Sequence, residues 1–458
     1  MTDDKPPRHV ETRTVIAISG PLMAAYVAEM GMMITDMIIV GRLGANELAA
    51  VGLTADWFYV LLLIGMGIIS IVGVLAAQSL GEGNSEGITS ASEQGMIAAT
   101  IAAVPVMLSV WYLAPALNLT DQDPDVIRLI REYSRPLTWS VLPALWFAVL
   151  RNYVTAMAKA SIIMTITVAA LALNAALNYT LVFGKFGMPA LGVVGAAYGT
   201  TIVNWIMFAA LAWHVMRSPR FKAYRPSIFP RRIEARTLRE IFVLGMPITF
   251  TQILNGAMFT VAAVMTGVLG ADVLAAQQIV YAVIYFALSA AIALADAARV
   301  RVAYGIGRRS VAAARQSAHI TFLLAAIISA AAAATLWLIP EQIVSIFLDT
   351  SQPANVGVML IAISLSLYAA VFQALDGVLI VMANAVRGLR DTKSPLWISM
   401  AGYWLVGLGS GTILCFGYDL GAKGLWQGLI AGPLVAIVLM FLRFRLRMRE
   451  AEARLGPA

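Results

Sequence analysis

Two acids interrupt the first apolar stretch of this 458-residue chain, Glu29 and Asp36, the second within GMMITDMIIVGRLG. An ionised carboxylate in hydrocarbon costs several kcal/mol, so an acid kept there is a functional candidate. Their spacing is about two helical turns, which sets both on one helix face. Together they could share a proton or ligate a cation; the alternative is a neutral, hydrogen-bonded acid that only holds helices together. Asn174 and Asn178, in LALNAALNYTLVFG, lie one turn apart in another apolar stretch. Amide carbonyls beside a carboxylate suit a hard cation or a protonation site, and interhelical hydrogen bonding is the plainer use of them. Thr200, in GAAYGT, is a weaker companion. A third acid, Asp376, falls in FQALDGVLIVMANAVRGLRD with Gln373 and Asn384 nearby, and Gln252 and Asn255, candidates to line the substrate path, could face it from another helix. Asp296, three residues before Arg299, reads as half of a local ion pair.

The elements that must carry these groups are membrane-spanning helices. Hydrophobic residues make up 60% of the chain and charged ones 12%, about half the charge of a soluble domain. Such a chain cannot cover its apolar surface with polar groups, so the bilayer is its solvent. The polar start, MTDDKPPRHVETR, reads as a retained cytoplasmic tail. The single cysteine, Cys415, rules out an internal disulfide, and His9, His214 and His319 have no ligand spacing.

About twelve segments are long and apolar enough to span. Alternating them from a cytoplasmic N-terminus puts about 26 Lys and Arg inside and about 6 outside, a strong positive-inside bias. The net charge of +7 is therefore spent on orientation and anionic headgroups rather than on nucleic acid. The basic linker RSPRFKAYRPSIFPRRIEARTLRE divides two sets of six. The expected organisation is a tail at 1–13, an N-lobe at 14–216, the linker at 217–239, a C-lobe at 240–444 and a cytoplasmic tail at 445–458.

An internal duplication supports that division. Pro21 to Gly44 followed by ANELAA returns about 226 residues later as Pro247 to Gly270 followed by ADVLAA. Both prolines fall where their apolar segments begin and read as first-turn residues, where a missing N–H costs little. Six spans per copy make the repeat parallel, a pseudo-two-fold about the membrane normal with a cleft between lobes as the substrate path. The polar groups do not follow the symmetry: Glu29 meets Asn255, and Asp36 meets Ala262. Pro136 and Pro143 should bend the fourth span. Met33, with Met30, Met32 and Met37, could supply an adaptable lining. Tyr59, Tyr281 and Tyr285 could stack on a flat or cationic ligand, or serve as interfacial anchors.

The chain resembles the multidrug and toxic compound extrusion (MATE) family, nearest its bacterial norfloxacin-exporter branch. The resemblance rests on TDMIIVGRLGANELAAVGL, VLGADVLAAQQI, NYTLVFGKFGMPALGVVGAAYGT, AVRGLRDTKSP and the GLWQG stretch. It implies an all-α polytopic inner-membrane protein with both termini cytoplasmic, working as a monomer in contact with membrane lipids. It implies an antiporter that expels small organic, often cationic, drugs in exchange for H⁺ or Na⁺, with no cofactor. Asp36, Asn174 and Asn178 match the family's N-lobe cation site, a possible Na⁺ site, and Asp376 matches an acid of its C-lobe site. Asn255 stands where many exporters of this branch carry glutamate, which shifts weight to the N-lobe, with Glu29 as a candidate compensation. The alternative within the same superfamily is a flippase for a lipid-linked oligosaccharide or lipid. An enzyme is not expected, because no nucleophile–base pair, metal cluster or cofactor loop accompanies the acids.

Overall fold

The structure, a computed structural model, describes residues 6–119, 123–228, 230, 232–348, 352 and 355–455. The outer ends of both expected tails, 1–5 and 456–458, lie outside them. In chain order the helices are α1 (Arg8–Gly41), α2 (Ala45–Ile69), α3 (Val72–Gly81), α4 (Ser85–Trp111), α5 (Leu113–Leu117), α6 (Pro124–Thr138), α7 (Val141–Ala156), α8 (Ser161–Phe183) and α9 (Val193–Arg217). A 3₁₀ turn, Pro219–Tyr224, leads to α10 (Ala235–Leu269), α11 (Ala271–Gly307), α12 (Val311–Leu338), α13 (Pro340–Val344) and α14 (Val356–Gly388). The last part holds α15 (Lys393–Ser399), a π-helical stretch Met400–Leu408, α16 (Gly409–Thr412), a second π-helical stretch Ile413–Gly417, and α17 (Gly421–Leu455). No strand occurs among the described residues. This is the all-α polytopic membrane fold that the sequence predicts.

Among the described residues, eleven helical runs are long and apolar enough to cross a membrane. The expected fourth span is missing from that set because it is broken. Its first half, α6, carries Arg128, Arg131, Glu132 and Arg135, and the helix interrupts at Trp139–Ser140 before α7 resumes. The interruption falls between Pro136 and Pro143, the expected site of the bend. The prolines of the repeat differ from expectation. α1 begins at Arg8 and α10 at Ala235, so Pro21 and Pro247 lie inside their helices. Apolar residues mark entry into lipid, whereas the helix itself starts earlier, in the polar approach.

The chain divides into two compact units, Gly20–Thr249 and Met1–Ser19 with Phe250–Ala458. In the Gly20–Thr249 unit, α8 packs along α9 and α4 touches α2, α3 and α7. A buried cluster of Ile39, Val40, Val51, Ile130, Tyr133, Leu137, Val182 and Val193 joins the ends of α1 and α8 to α2, α6 and α9. The linker is no free tether there. Gln94 donates to the Arg232 carbonyl at 3.0 Å and accepts from the Glu234 amide at 3.1 Å, and Glu93 accepts from the Ser227 amide at 2.7 Å. In the other unit, α14 is the central helix, packed on α11, α12 and α17. Here the expected Asp296–Arg299 pair closes at 2.7 Å.

Candidate functional site

Within the Gly20–Thr249 unit, three helices converge on one carboxylate. Asp36 on α1 accepts a hydrogen bond from the Asn178 amide on Oδ1 and one from the Thr200 hydroxyl on Oδ2, the latter at 3.2 Å. Asn174, one turn before Asn178 on α8, lies beside the same carboxylate. Both asparagines are sealed from solvent, at 1% and 0% exposure. Their amide oxygens, Asn174 Oδ1 and Asn178 Oδ1, are buried with no hydrogen-bond partner among the described residues. A buried acceptor left unpaired costs about 1–3 kcal/mol, so two of them beside one acid mark a place built for something more. The donor set is one carboxylate, two amide oxygens and a hydroxyl. It carries a single negative charge, which suits a proton or one monovalent cation better than a divalent ion.

The backbone is shaped to keep this set together. α8 ends at Gly184 in the left-handed conformation (φ 66°), and a side chain there would strike Ala190. That reversal lays α9 along α8. Gly199 then faces Asn178, and a Cβ at this position would collide with Asn178 Oδ1. Gly199→Ala is therefore expected to push Asn178 off Asp36 and cost about 1–3 kcal/mol. Gly52→Ala, whose added carbon meets nothing within 4 Å, serves as the control. Thermal melting in detergent, read alongside transport, checks this; a Gly199→Ala protein matching the control in both would show that Asn178 is not held there.

Glu29 faces a different partner. Its Oε1 accepts from Arg151 Nη1 of α7 at 2.8 Å, and that guanidinium lies over the Tyr26 ring, 5.2 Å from its centroid. The two acids of α1 share a helix, about 10 Å apart along its axis, yet each is satisfied by a separate neighbour. Arg151 went unnoticed in the sequence, although a base in an apolar run obeys the same burial argument as an acid. Tyr133 also went unnoticed; it is buried within reach of the Asp36 charge.

In the other unit, Asp376 on α14 is 4% exposed and accepts from the Tyr403 hydroxyl of the first π-helical stretch. π-Helical turns widen a helix and recur at functional sites. The amide oxygens of Gln373 and Gln252 are buried with no hydrogen-bond partner among the described residues. No hydrogen bond among the described residues ties Gln252 or Asn255 to Asp376, and Asn384 donates to its own helix, at Ile380 O. Of the residues expected to line a substrate path, Met33, Tyr59 and Tyr285 are well exposed. Tyr281 is not: it is 5% exposed. Its hydroxyl accepts from Gln277 at 2.7 Å, and Gln277 in turn accepts from the Trp426 indole at 2.9 Å. It packs edge-on against Phe259 in an aromatic core that includes Phe372. Burial of the whole helix face, which one sequence does not reveal, removes it from the lining.

Comparison with known proteins adds a third line. The MatE family model matches twice, over residues 21–180 and 247–413, starting at the two repeat prolines. The chain is 33% identical over 431 residues to the multidrug resistance protein NorM of Burkholderia vietnamiensis, covering 94% of this chain and 93% of that protein. It is 30% identical over 447 residues to the probable multidrug resistance protein NorM of Brucella suis biovar 1, covering 97% and 94%. Among solved structures, the eukaryotic MATE transporter AtDTX14 superposes with a TM-score of 0.84 at 20% identity, over 98% of this chain and 100% of that one. An outward-facing multidrug resistance MATE family transporter of the MOP superfamily gives 0.87 at 20% identity, over 96% and 97%.

Proposed function

Because the chain belongs to the MatE family, we propose that it is a multidrug efflux antiporter of the bacterial inner membrane, exporting organic, often cationic, compounds in exchange for H⁺ or Na⁺. The observation that carries this reading is the Asp36 carboxylate inside a spanning helix, ringed by Asn174, Asn178 and Thr200 with two amide oxygens left unpaired. The names of the relatives, multidrug resistance proteins, support this substrate class.

The mechanism is alternating access between an N-lobe and a C-lobe, with both termini in the cytoplasm. A carboxylate in this setting can have its charge cancelled reversibly, by a proton or by a bound Na⁺. Cancelling it changes how α1 packs on α8 and α9, and so favours one access state over the other by the difference in ion affinity between them. The downhill ion thereby drives the uphill drug. The coupling is placed mainly at Asp36. Asp376 with Tyr403 is a second titratable site, and Glu29, neutralised by Arg151, has a structural part.

Reconstitution into liposomes with an imposed pH or Na⁺ gradient tests the proposal. Wild-type protein is expected to accumulate a fluorescent organic cation several-fold above the no-gradient level under one of the two gradients. Accumulation under neither gradient would remove the antiporter reading. Lipid translocation without drug–cation exchange would identify a flippase instead.

A further inference from the structure

A cavity of about 150 Å³ opens at the start of α8, lined among others by Lys159, Ser161, Thr165, His214, Arg220 and Phe221. It lies about 25 Å along α8 from Asn178 and takes no part in the coupling site. We propose that it binds the phosphate group of an acidic phospholipid from the surrounding leaflet.

The chemistry of the lining is one-sided. Lys159 and Arg220 can only donate hydrogen bonds, and among the described residues no acid pairs with either. Ser161 adds a hydroxyl, whereas that of Thr165 already donates to the Ser161 carbonyl at 3.1 Å. No side chain caps α8, and the first of its amides to find a carbonyl is that of Ile163, on Ala160 O. The free amides ahead of it and the helix dipole favour an anion at the same spot. Two exposed cations with no acid partner among the described residues, the Ser161 hydroxyl and the first amides of α8 thus surround one cavity with donors and positive charge.

The site is also rigid. Arg220 rides on the 3₁₀ turn Pro219–Tyr224, and Phe221 in that turn is 1% exposed. Phe221 packs between Tyr153, at 5.8 Å, and His214, at 6.1 Å between ring centroids. The Tyr153 hydroxyl donates to the Tyr224 carbonyl at 2.7 Å and pins the end of the turn. The backbone that carries Arg220 is thus fixed before binding, which favours affinity.

A lipid is the source of phosphate that fits the flanks. Val168 on α8 and Trp213 and Met216 on α9 expose apolar surface next to the basic residues. Arg217 lies over the Trp213 ring at 4.5 Å, an arrangement typical of the headgroup level. Basic pockets between spanning helices at the positive side are suited to phosphate headgroups. Soluble inorganic phosphate offers the same oxygens without acyl chains.

Thermal melting of the purified full-length protein in nanodiscs separates these cases. Replacing part of the phosphatidylcholine by phosphatidylglycerol is expected to raise the wild-type melting temperature by several degrees. Lys159→Gln combined with Arg220→Gln should melt like wild type in phosphatidylcholine alone but need at least fivefold more phosphatidylglycerol for half the rise. Arg236→Gln combined with Arg239→Gln, equal in charge and exposed in the first turns of α10, should keep the wild-type response. An undiminished response in the first pair, or an equal loss in the second, overturns the proposal. A rise with inorganic phosphate in neutral lipid, lost in the first pair, overturns the lipid source and assigns the cavity to soluble phosphate. The readout is binding, so it stands or falls independently of transport.

Discussion

Asp36→Asn is expected to abolish gradient-driven export while leaving a folded protein that still binds drug. Asparagine has nearly the shape of aspartic acid and keeps an oxygen for the Thr200 hydroxyl, which donates to Asp36 Oδ2 at 3.2 Å. It therefore imitates the neutral form of the site and cannot leave it. Removing a charge held among two asparagines at 1% and 0% exposure relieves a desolvation cost, so stability should stay within about 1 kcal/mol of wild type or rise. Accumulation of an organic cation in liposomes should fall at least about tenfold, to the no-gradient level, and its dependence on the imposed pH or Na⁺ should vanish. Thr200→Ala keeps the charge and loses one donor, so it should lower the rate only several-fold and retain that dependence. Glu29→Gln removes the charge that Arg151 pairs with at 2.8 Å and should show mainly as a lower melting temperature. An Asp36→Asn protein that accumulates drug like wild type would remove the coupling role from this residue.

The acid at the centre of that prediction stood out in the sequence because hydrocarbon is an unforgiving solvent: one carboxylate in MMITDMIIV must be either neutral and hydrogen-bonded or put to use. Asn174 and Asn178 were legible by spacing, since residues four apart share a helix face. Their partners were harder to find. Arg151 reaches Glu29 across 122 positions in the chain, and nothing local in VLRNYV names the acid it neutralises. Tyr403 lies in an aromatic-rich apolar run, where a phenol looks like any other packing residue until a buried carboxylate is set against it. Tyr281 shows the reverse error, an aromatic expected in a lining and found inside a core. Helix limits were misjudged at Pro21 and Pro247 because hydropathy registers the membrane boundary and not the first hydrogen bond. The repeat, by contrast, was fully visible, and the two family matches begin on its prolines.

Asp391→Asn is expected to give the largest loss of stability outside the coupling site. Asp391, in the turn after α14, is 3% exposed. Its Oδ2 accepts from Arg443 Nε and Arg447 Nε of α17, each at 2.8 Å, and from the Ser394 hydroxyl at 2.8 Å, while Oδ1 takes the Ser394 amide at 3.1 Å. One carboxylate thus ties the end of α14 and the start of α15 to the last turns of α17. Asparagine keeps the Ser394 contact but takes the carboxylate from Arg443 and leaves Arg447 with Glu450 alone, at 2.7 Å. The cost should be about 3 kcal/mol, the low end for breaking a buried pair, because both arginines retain more than a quarter of their exposure. Burial alone would push the Asp391 carboxyl up, but the hydrogen bonds from Arg447, Ser394 and Arg443 outweigh it and hold the group below the usual carboxylate range. A folded-state pKa below the unfolded value of about 3.9 means that the stabilisation is complete above that value and is lost as pH falls through the folded one. The gap in melting temperature between wild type and Asp391→Asn should therefore be several degrees and flat from about pH 5 to 8, and close as the pH drops below about 4. Arg447→Gln should reproduce part of the gap. A gap absent at pH 7, or one that persists undiminished in acid, would mean that this carboxylate does not hold the end of the unit together.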